Sequence, residues 1–143
     1  MENKEELLEE YGSLMERMLR SGIVRSGNVI SDYGEHMAAK RLGLELMVDR
    51  GPFDAVDAEG RKYEIKTRTS GSYMNNGGPQ LDLNQLKSCD YLVYVEFGLQ
   101  WGLTKLLKIP AEEVKYKKKG KRLIIDDETL RRYDVLNEIK KGF

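Results

Sequence analysis

Apolar residues recur at helical spacing in two stretches near the N-terminus. Over residues 5–20 they lie three or four positions apart with charged residues between them, and Gly22 follows the end of this pattern. A second helix is predicted to open at residues 31–35 and to stop at Gly43. The chain is therefore expected to begin with two helices, the first of which is amphipathic.

The following residues show the patterns of strands. Segments 44–48, 53–58 and 61–69 are separated by short turns, which predicts a three-stranded meander. Residues 70–79, rich in glycine, serine and asparagine, predict a flexible loop, and residues 80–88 predict a short helix. The apolar run 91–97 suits a central strand that is covered on both faces. Strands at 103–109 and 123–125 and a closing helix at 128–141 complete the order, which indicates an α/β fold with a mixed central sheet and helices on both sides.

Length and composition set limits on this picture. The chain has 143 residues, which predicts one domain, and its 24 basic and 24 acidic residues balance. Overall neutrality weakens the case for a nucleic-acid partner without removing it. A single cysteine rules out an internal disulfide and a cysteine-built zinc site. With an acidic N-terminus and no long apolar run, we expect a soluble protein of the reducing cytoplasm with no membrane partner.

Carboxylates on the predicted hairpin carry the candidate chemistry. Residues at i and i+2 of a strand share a face, so Glu64 and Lys66 are expected to point the same way. A tight turn at Gly60 would fold Asp54 back alongside Glu64. Two adjacent carboxylates repel one another unless they are protonated or bridged by a cation, and hard oxygen ligands suit Mg²⁺ or Mn²⁺. The lysine adds positive charge where a phosphoryl transition state would accumulate negative charge.

These residues also have plainer explanations. Charges from Asp54 to Lys66 are also what an ordinary solvated strand pair with an ion pair would show. Glu35 stands three residues after Asp32, as the returning partner in an N-terminal capping arrangement would. Asp57 lies an odd number of residues from Asp54, which predicts a turn or surface acid and not a ligand.

The predicted elements follow the order helix, meander with Asp54 and then Glu64-Ile65-Lys66, helix and apolar strand. This order resembles the PD-(D/E)xK nuclease superfamily, whose restriction endonuclease-like core has the order αβββαβ. The resemblance, close to Holliday-junction resolvases, covers residues 31–109. Residues 1–28 then form an N-terminal helical extension and residues 110–143 a C-terminal addition. Pro52 departs from the pattern because Phe53 separates it from Asp54.

The resemblance assigns roles to the candidate residues. Asp54, Glu64 and the backbone carbonyl of Ile65 would bind Mg²⁺ or Mn²⁺, and Lys66 would orient the attacking water and steady the transition state. Glu35 matches the helix-borne acid that completes the site in some members. Gln85 matches a glutamine that some members carry on the helix after the Glu-x-Lys strand.

Basic residues in two places are candidate phosphate contacts: Arg61, Lys62 and Arg68 on the hairpin, and Lys117, Lys118 and Lys119 in a later basic stretch. Solvated hairpin tips are the alternative for such charge runs. The resulting expectation is a metal-dependent endonuclease that hydrolyses phosphodiester bonds, with DNA favoured over RNA by the resemblance alone. The alternative is a catalytically inactive nucleic-acid-binding or assembly module on the same fold. We also expect a homodimer, with the N-terminal helix either as its interface or as a cover for the sheet.

Overall fold

The computed structural model describes residues 2–26, 28–48, 51–70 and 79–136. Most of the loop predicted at residues 70–79 lies outside these described residues. The described residues contain four α-helices: α1 (Lys4–Ser21), α2 (Val29–Leu42), α3 (Leu83–Lys87) and α4 (Asp127–Tyr133). The strands are β1 (Glu45–Leu46), β2 (Ala55–Val56), β3 (Lys62–Thr69), β4 (Tyr91–Phe97) and β5 (Leu103–Pro110).

The five strands form one mixed sheet in the order β1-β2-β3-β4-β5. The first three strands pair antiparallel as the predicted meander, and β5 pairs antiparallel with β4. Strands β3 and β4 are parallel, because α3 carries the chain back across the sheet between them. The prediction of an α/β fold with a mixed sheet and flanking helices is confirmed.

Four predicted elements are shorter than expected or differently paired. Strands β1 and β2 contain two residues each, and the chain between them carries Pro52, which has no N–H to donate to a ladder. The predicted strand at 123–125 is wrong, since Leu123 donates its backbone N–H to Pro79 and forms only an isolated bridge with Tyr116. Within the described residues, helix α4 ends at Tyr133 because the next residues turn onto β5, where Val135 donates to the Leu106 carbonyl at 2.8 Å. Residues 137–141 of the predicted closing helix lie outside the described residues.

Each face of the sheet has its own hydrophobic core. On one face, Tyr63 and Ile65 of β3 and Val93 and Val95 of β4 pack against α2 through Ala38. On the other face, Leu92 and Tyr94 pack with Leu86 of α3, and the segments near Leu81 and Leu123 close over them. Strand β4 is buried along both faces, as its unbroken apolar sequence predicts.

A glycine sets the distance between α2 and the sheet. A Cβ atom on Gly34 would come within 2.7 Å of the Thr67 Cβ atom on β3, so only glycine allows the helix to lie this close. The next residue on the helix is Glu35, and its position over the sheet edge therefore depends on this close approach.

Helix α1 lies outside both cores. It begins at an Asn3 cap and ends at Gly22 in the left-handed conformation, close to the predicted limits. None of its residues is buried, and within the described chain neither hydrophobic core includes a residue of α1. The interpretation of this helix as a cover for the sheet is therefore wrong. No helix among residues 2–26, 28–48, 51–70 and 79–136 is long and apolar enough to cross a membrane.

Candidate active site

The β2–β3 hairpin brings two carboxylates together. Gly60 turns the chain with a φ of +80°, and the register that pairs Ala55 with Tyr63 sets Asp54 opposite Glu64. The backbone N–H of Ile65 donates a hydrogen bond of 2.8 Å to the Asp54 carboxylate. Asp54 and Glu64 are therefore neighbours, as predicted. The backbone of the opposite strand fixes the orientation of Asp54.

Glu64 and Lys66 share a face of β3, as their spacing predicts. The Lys66 Nζ atom lies 3.3 Å from the Glu64 Oε1 atom. Glu64 is only 5% exposed, which is unusual for a glutamate. This burial contradicts the interpretation of the hairpin charges as an ordinary solvated strand pair, because Glu64 is removed from the solvent that would stabilise its charge.

The carboxylates of Asp54 and Glu64 both have shifted pKa values. Burial, followed by the negative charge of Asp54, raises the pKa of Glu64 to about 7. Burial also raises the pKa of Asp54, although the Ile65 N–H and the Lys66 ammonium oppose this effect. A protonated Glu64 can donate a hydrogen bond to Asp54. The site therefore holds a proton near neutral pH, which a divalent cation would replace.

Glu35 of α2 is the third acid near this pair. Its negative charge contributes to the raised pKa of Glu64, and its own pKa is raised chiefly by burial. The Arg25 guanidinium donates a hydrogen bond of 2.7 Å to the Glu35 carboxylate. The capping role considered for Glu35 is wrong, because Asn28 caps α2 by accepting from the Ser31 N–H at 3.2 Å.

Asp32 explains how Arg25 is positioned. Its buried carboxylate accepts hydrogen bonds from the backbone N–H groups of Arg25 and Ser26 and from the Ser26 hydroxyl. The Arg25 side chain also donates to the Met47 carbonyl at 3.0 Å. Helix α2 thus holds the preceding loop so that one arginine reaches the acidic site.

The oxygen atoms at this site are possible ligands for a divalent cation. Among the described residues, no set of three or more aspartate, glutamate, histidine or cysteine side chains is arranged to hold a metal ion. Asp54, which is half-buried, and the buried Glu64 are nevertheless adjacent, and both have raised pKa values. The N–H and C=O of one strand residue point to the same edge, so the Ile65 carbonyl faces the Asp54 side, beyond the end of β2. Asp54, Glu64 and this carbonyl are a suitable oxygen donor set for Mg²⁺ or Mn²⁺.

A groove of about 700 Å³ opens beside the acids. Asp54 and Glu35 line it, and Gln85 of α3 lies in its wall, so the structure brings the predicted glutamine to the site. Glu64 and Lys66 are not among its lining residues and lie next to Asp54. The other polar residues of the lining come from the loop before α2 and from its first turn: Arg25, Ser26, Asn28, Ser31 and Asp32.

Lys62 and Arg61, two of the basic residues of the hairpin, have side chains that point in different directions. The Lys62 Nζ atom is 5.3 Å from the centre of the Phe53 ring, and Phe53 lines the groove. Arg61 is paired with Asp57 and Glu59, and its guanidinium lies over Tyr91. Tyr91 packs in the core on the α2 face, so Arg61 is directed to the face opposite Glu64. Asp57 is a turn acid, as predicted.

Arg68 shares the face of Glu64 and Lys66 and belongs to a polar network. It hydrogen-bonds Tyr94, whose hydroxyl donates to the buried Glu96 carboxylate at 2.7 Å. Lys105 of β5 completes this network at 3.1 Å from Glu96. The positive charges of Arg68 and Lys105 therefore follow Lys66 along the sheet, and Glu96 partly neutralises them.

Lys117, Lys118 and Lys119 form an exposed turn. The segment that carries them pairs with the chain before α3, where the Leu81 N–H donates to the Lys121 carbonyl at 2.7 Å. Leu81 and Leu123 pack into the core on the face that carries Glu64 and Lys66. The basic turn is therefore attached to the same side of the sheet as the acids, although the sequence places it far from them.

Arg25 was not singled out from the sequence. It lies in an irregular loop between two helices, and no local pattern distinguishes it from other surface arginines. Its contact with Glu35 depends on the packing of α2 and on the Asp32 anchor. His36 and Trp101 both contact the Tyr33 ring, which packs against the core on the α2 face.

Comparisons with models of protein families and with curated proteins gave no match to this chain.

Proposed function

We propose that the protein is a divalent-metal-dependent nuclease that hydrolyses phosphodiester bonds in DNA, on a restriction endonuclease-like core of the PD-(D/E)xK type. The observation that carries the proposal is the half-buried Asp54 beside the buried Glu64, with Lys66 3.3 Å from Glu64. The element order α2, β1-β2-β3, α3, β4 adds support, since it is the αβββαβ order that the resemblance implies.

Charge explains why a cation is needed for an anionic substrate. When Asp54, Glu64 and Glu35 are ionised, they carry three negative charges against the two positive charges of Lys66 and Arg25. The site is then negative by one charge and repels a phosphodiester. A divalent cation reverses that sign, so binding of metal and binding of DNA should reinforce each other.

When bound, the metal ion would polarise the scissile phosphate and lower the pKa of a coordinated water. The protein's own groups have separate tasks. Asp54, held by the Ile65 N–H, presents its second carboxylate oxygen in a fixed direction. Lys66 places an ammonium group beside Glu64, where it can orient the attacking water and stabilise charge on the phosphate.

The groove beside the acids suits a nucleic-acid strand. Its volume of about 700 Å³ accommodates a nucleotide unit, and Gln85 in its wall offers an amide that both donates and accepts hydrogen bonds. Lys62 beside Phe53 at its rim supplies positive charge, as does the exposed Lys117–119 turn, which is attached to the sheet face that carries Glu64 and Lys66. These features support a path for the phosphate backbone past Asp54.

The test is cleavage of labelled single-stranded, duplex and four-way-junction DNA, and of matched RNA, with Mg²⁺, Mn²⁺ or a chelator. We expect metal-dependent cleavage that Glu64→Gln and Lys66→Ala reduce by at least about 100-fold. The matched control is Glu59→Gln on the same hairpin, since Glu59 lies in the exposed turn and its carboxylate pairs with Arg61, away from Asp54 and Glu64. This control is expected to retain full activity.

A catalytically inactive nucleic-acid-binding module is the second candidate. The Arg25–Glu35 ion pair favours it, because an acid engaged by arginine at 2.7 Å is less available to a metal ion. If this candidate is correct, no substrate is cut with either metal, and Glu64→Gln binds DNA more tightly than the wild type because a repulsive charge is lost. Metal-dependent cleavage that disappears in Glu64→Gln would exclude it.

A further inference from the structure

Helix α1 exposes the largest group of apolar side chains in the described part of the chain. Of the large hydrophobic residues that are exposed there, more than half belong to this one helix: Leu7, Leu8, Tyr11, Leu14 and Leu19. Leu8 is 69% and Tyr11 58% exposed. A helix of this length is marginal in water without tertiary packing, so a partner for this face is expected.

The spacing of these residues defines what the partner must present. Leu7, Tyr11, Leu14 and Met18 are separated by four, three and four positions, which is the seam of a two-stranded coiled coil. The helix is 18 residues long, so the seam runs along an axis of about 27 Å. A straight apolar seam of this kind fits another amphipathic helix and not an irregular surface.

The distribution of charges along α1 indicates which amphipathic helix this partner is. The N-terminal half of α1 carries the acids Glu5, Glu6, Glu9 and Glu10 with one base, Lys4, whereas the C-terminal half carries Arg17 and Arg20 with one acid, Glu16, which pairs with Arg20. A parallel copy would place the four acids beside the same acids. An antiparallel copy would place the acidic half of each helix against the basic half of the other, so the charge pattern is complementary to itself only in that orientation.

We infer that α1 is a homodimerisation helix that pairs antiparallel with α1 of a second copy. A two-fold axis between Tyr11 and Leu14 sets Leu7 against Met18 of the second copy and Tyr11 against Leu14 of the second copy. On one flank of this seam, Glu10 then faces Arg17 of the second copy, twice by symmetry. On the other flank, Leu8 faces Met15 of the second copy.

This inference goes beyond the proposed function and does not depend on metal chemistry. No α1 residue lines the groove beside Asp54, so changes on the helix should leave the site intact. The Glu64→Gln variant is expected to dimerise as the wild type does. The cleavage assay therefore tests the nuclease proposal alone, and the oligomeric state tests the dimer alone.

Light scattering after size exclusion, followed by sedimentation equilibrium, tests the inference on the full chain. We expect a dimer at micromolar concentration, and a dissociation constant at least about 100-fold higher for Leu7→Gln/Leu14→Gln. The matched control is Glu9→Gln/Ser13→Gln on the opposite side of the helix, which should dimerise normally. Since α1 has no buried residue, these variants are expected to fold, and circular dichroism checks this. A monomeric wild type, or dimers unaffected by the Leu7 and Leu14 changes, would overturn the inference.

Charge reversal tests the orientation. Glu10→Arg and Arg17→Glu each place like charges together at two symmetric positions, so each should weaken the dimer by roughly tenfold. The double variant restores opposite charges in an antiparallel pair and should return to within about threefold of the wild type. A double variant that is weaker than both single variants would overturn the antiparallel arrangement.

Discussion

The backbone N–H of Ile65 donates a 2.8 Å hydrogen bond to the carboxylate of Asp54. This contact links the acid that lines the groove to the strand that carries Glu64 and Lys66. Because the donor is a backbone group, it keeps Asp54 in place whatever the protonation state of neighbouring side chains.

From the hydrogen bond between the Ile65 N–H and Asp54, we expect two variants of Asp54 to differ in their free energy of unfolding but to lose activity alike. Asp54→Asn keeps an oxygen acceptor for the Ile65 N–H, so the free energy of unfolding should stay within about 1 kcal/mol of the wild type. Asp54→Ala leaves this N–H without an acceptor and should lower the free energy of unfolding by about 1–3 kcal/mol. Both should abolish metal-dependent cleavage. Urea unfolding measures the stability of each variant, and the DNA assay measures its activity. Retained cleavage in Asp54→Asn would show that its charge is not needed.

The raised pKa of Glu64 predicts that the metal-free protein loses stability as pH rises. In the folded protein Glu64 binds its proton up to about pH 7, whereas its ordinary pKa is 4.5. The folded state therefore binds more protons between these values, and the free energy of unfolding falls as pH rises from about 4.5 to 7. The decrease should not exceed about 3 kcal/mol. Urea unfolding in a chelator at pH 5 and pH 8 measures it.

Two controls accompany the pH experiment. Glu64→Gln should reduce the decrease, and Mg²⁺ at pH 8 should restore stability because it replaces the proton. Asp57 does not interfere, because hydrogen bonds to Arg61 and Tyr63 lower its pKa to about 2, so its effect is confined to more acidic solutions. A profile that is flat from pH 5 to pH 8 would contradict the assignment to Glu64.

Arg25 is predicted to limit metal affinity. Arg25→Gln removes a positive charge beside the acids and frees Glu35, while an amide donor remains for nearby oxygen acceptors. We expect Mn²⁺ to bind about fivefold to tenfold more tightly, as measured by electron paramagnetic resonance titration. Arg61→Gln on the opposite face should not change the affinity. Weaker binding in Arg25→Gln would mean that the ion pair is needed to position Glu35.

Gly34 is predicted to control the fit of α2 on the sheet. Gly34→Ala places a methyl group against Thr67 and should lower the free energy of unfolding by about 1–3 kcal/mol. Gly12→Ala in α1 is the matched control, since nothing lies within 4 Å of its added methyl group. This control should raise the free energy of unfolding slightly, because alanine favours a helix. Equal effects of the two changes would contradict the close packing at Thr67.

The exposed lysine turn is predicted to bind phosphates without reading sequence. Replacing Lys117, Lys118 and Lys119 with glutamine should weaken DNA binding equally for unrelated sequences. It should also reduce the slope of log K against log salt by up to about 3. Fluorescence anisotropy over a range of salt concentrations measures this slope. Arg61→Gln should leave the slope unchanged, and a slope unaffected by the lysine changes would exclude the turn from the interface.

Much of the fold follows from local sequence. Gly22 and Gly43 end α1 and α2 as their positions indicate, since glycine adopts the left-handed conformation at a helix end without steric cost. Strand β4 occupies the predicted residues 91–97, because a continuous apolar run can be satisfied only by burial on both faces. The hairpin turn at Gly60 and the shared face of Glu64 and Lys66 likewise depend on short-range geometry.

The sequence by itself determined the order of the elements from α1 to β5 and the pairing of Asp54 with Glu64 and Lys66, since a turn and a strand period fix which nearby residues are neighbours. Only the tertiary structure decided that Arg25 pairs with Glu35, that Gln85 enters the groove and that Arg61 turns to the other face. It also decided that β1 and β2 stop after two residues and that α1 stays unburied. These outcomes depend on how distant segments pack against each other, and no local periodicity encodes which surfaces meet.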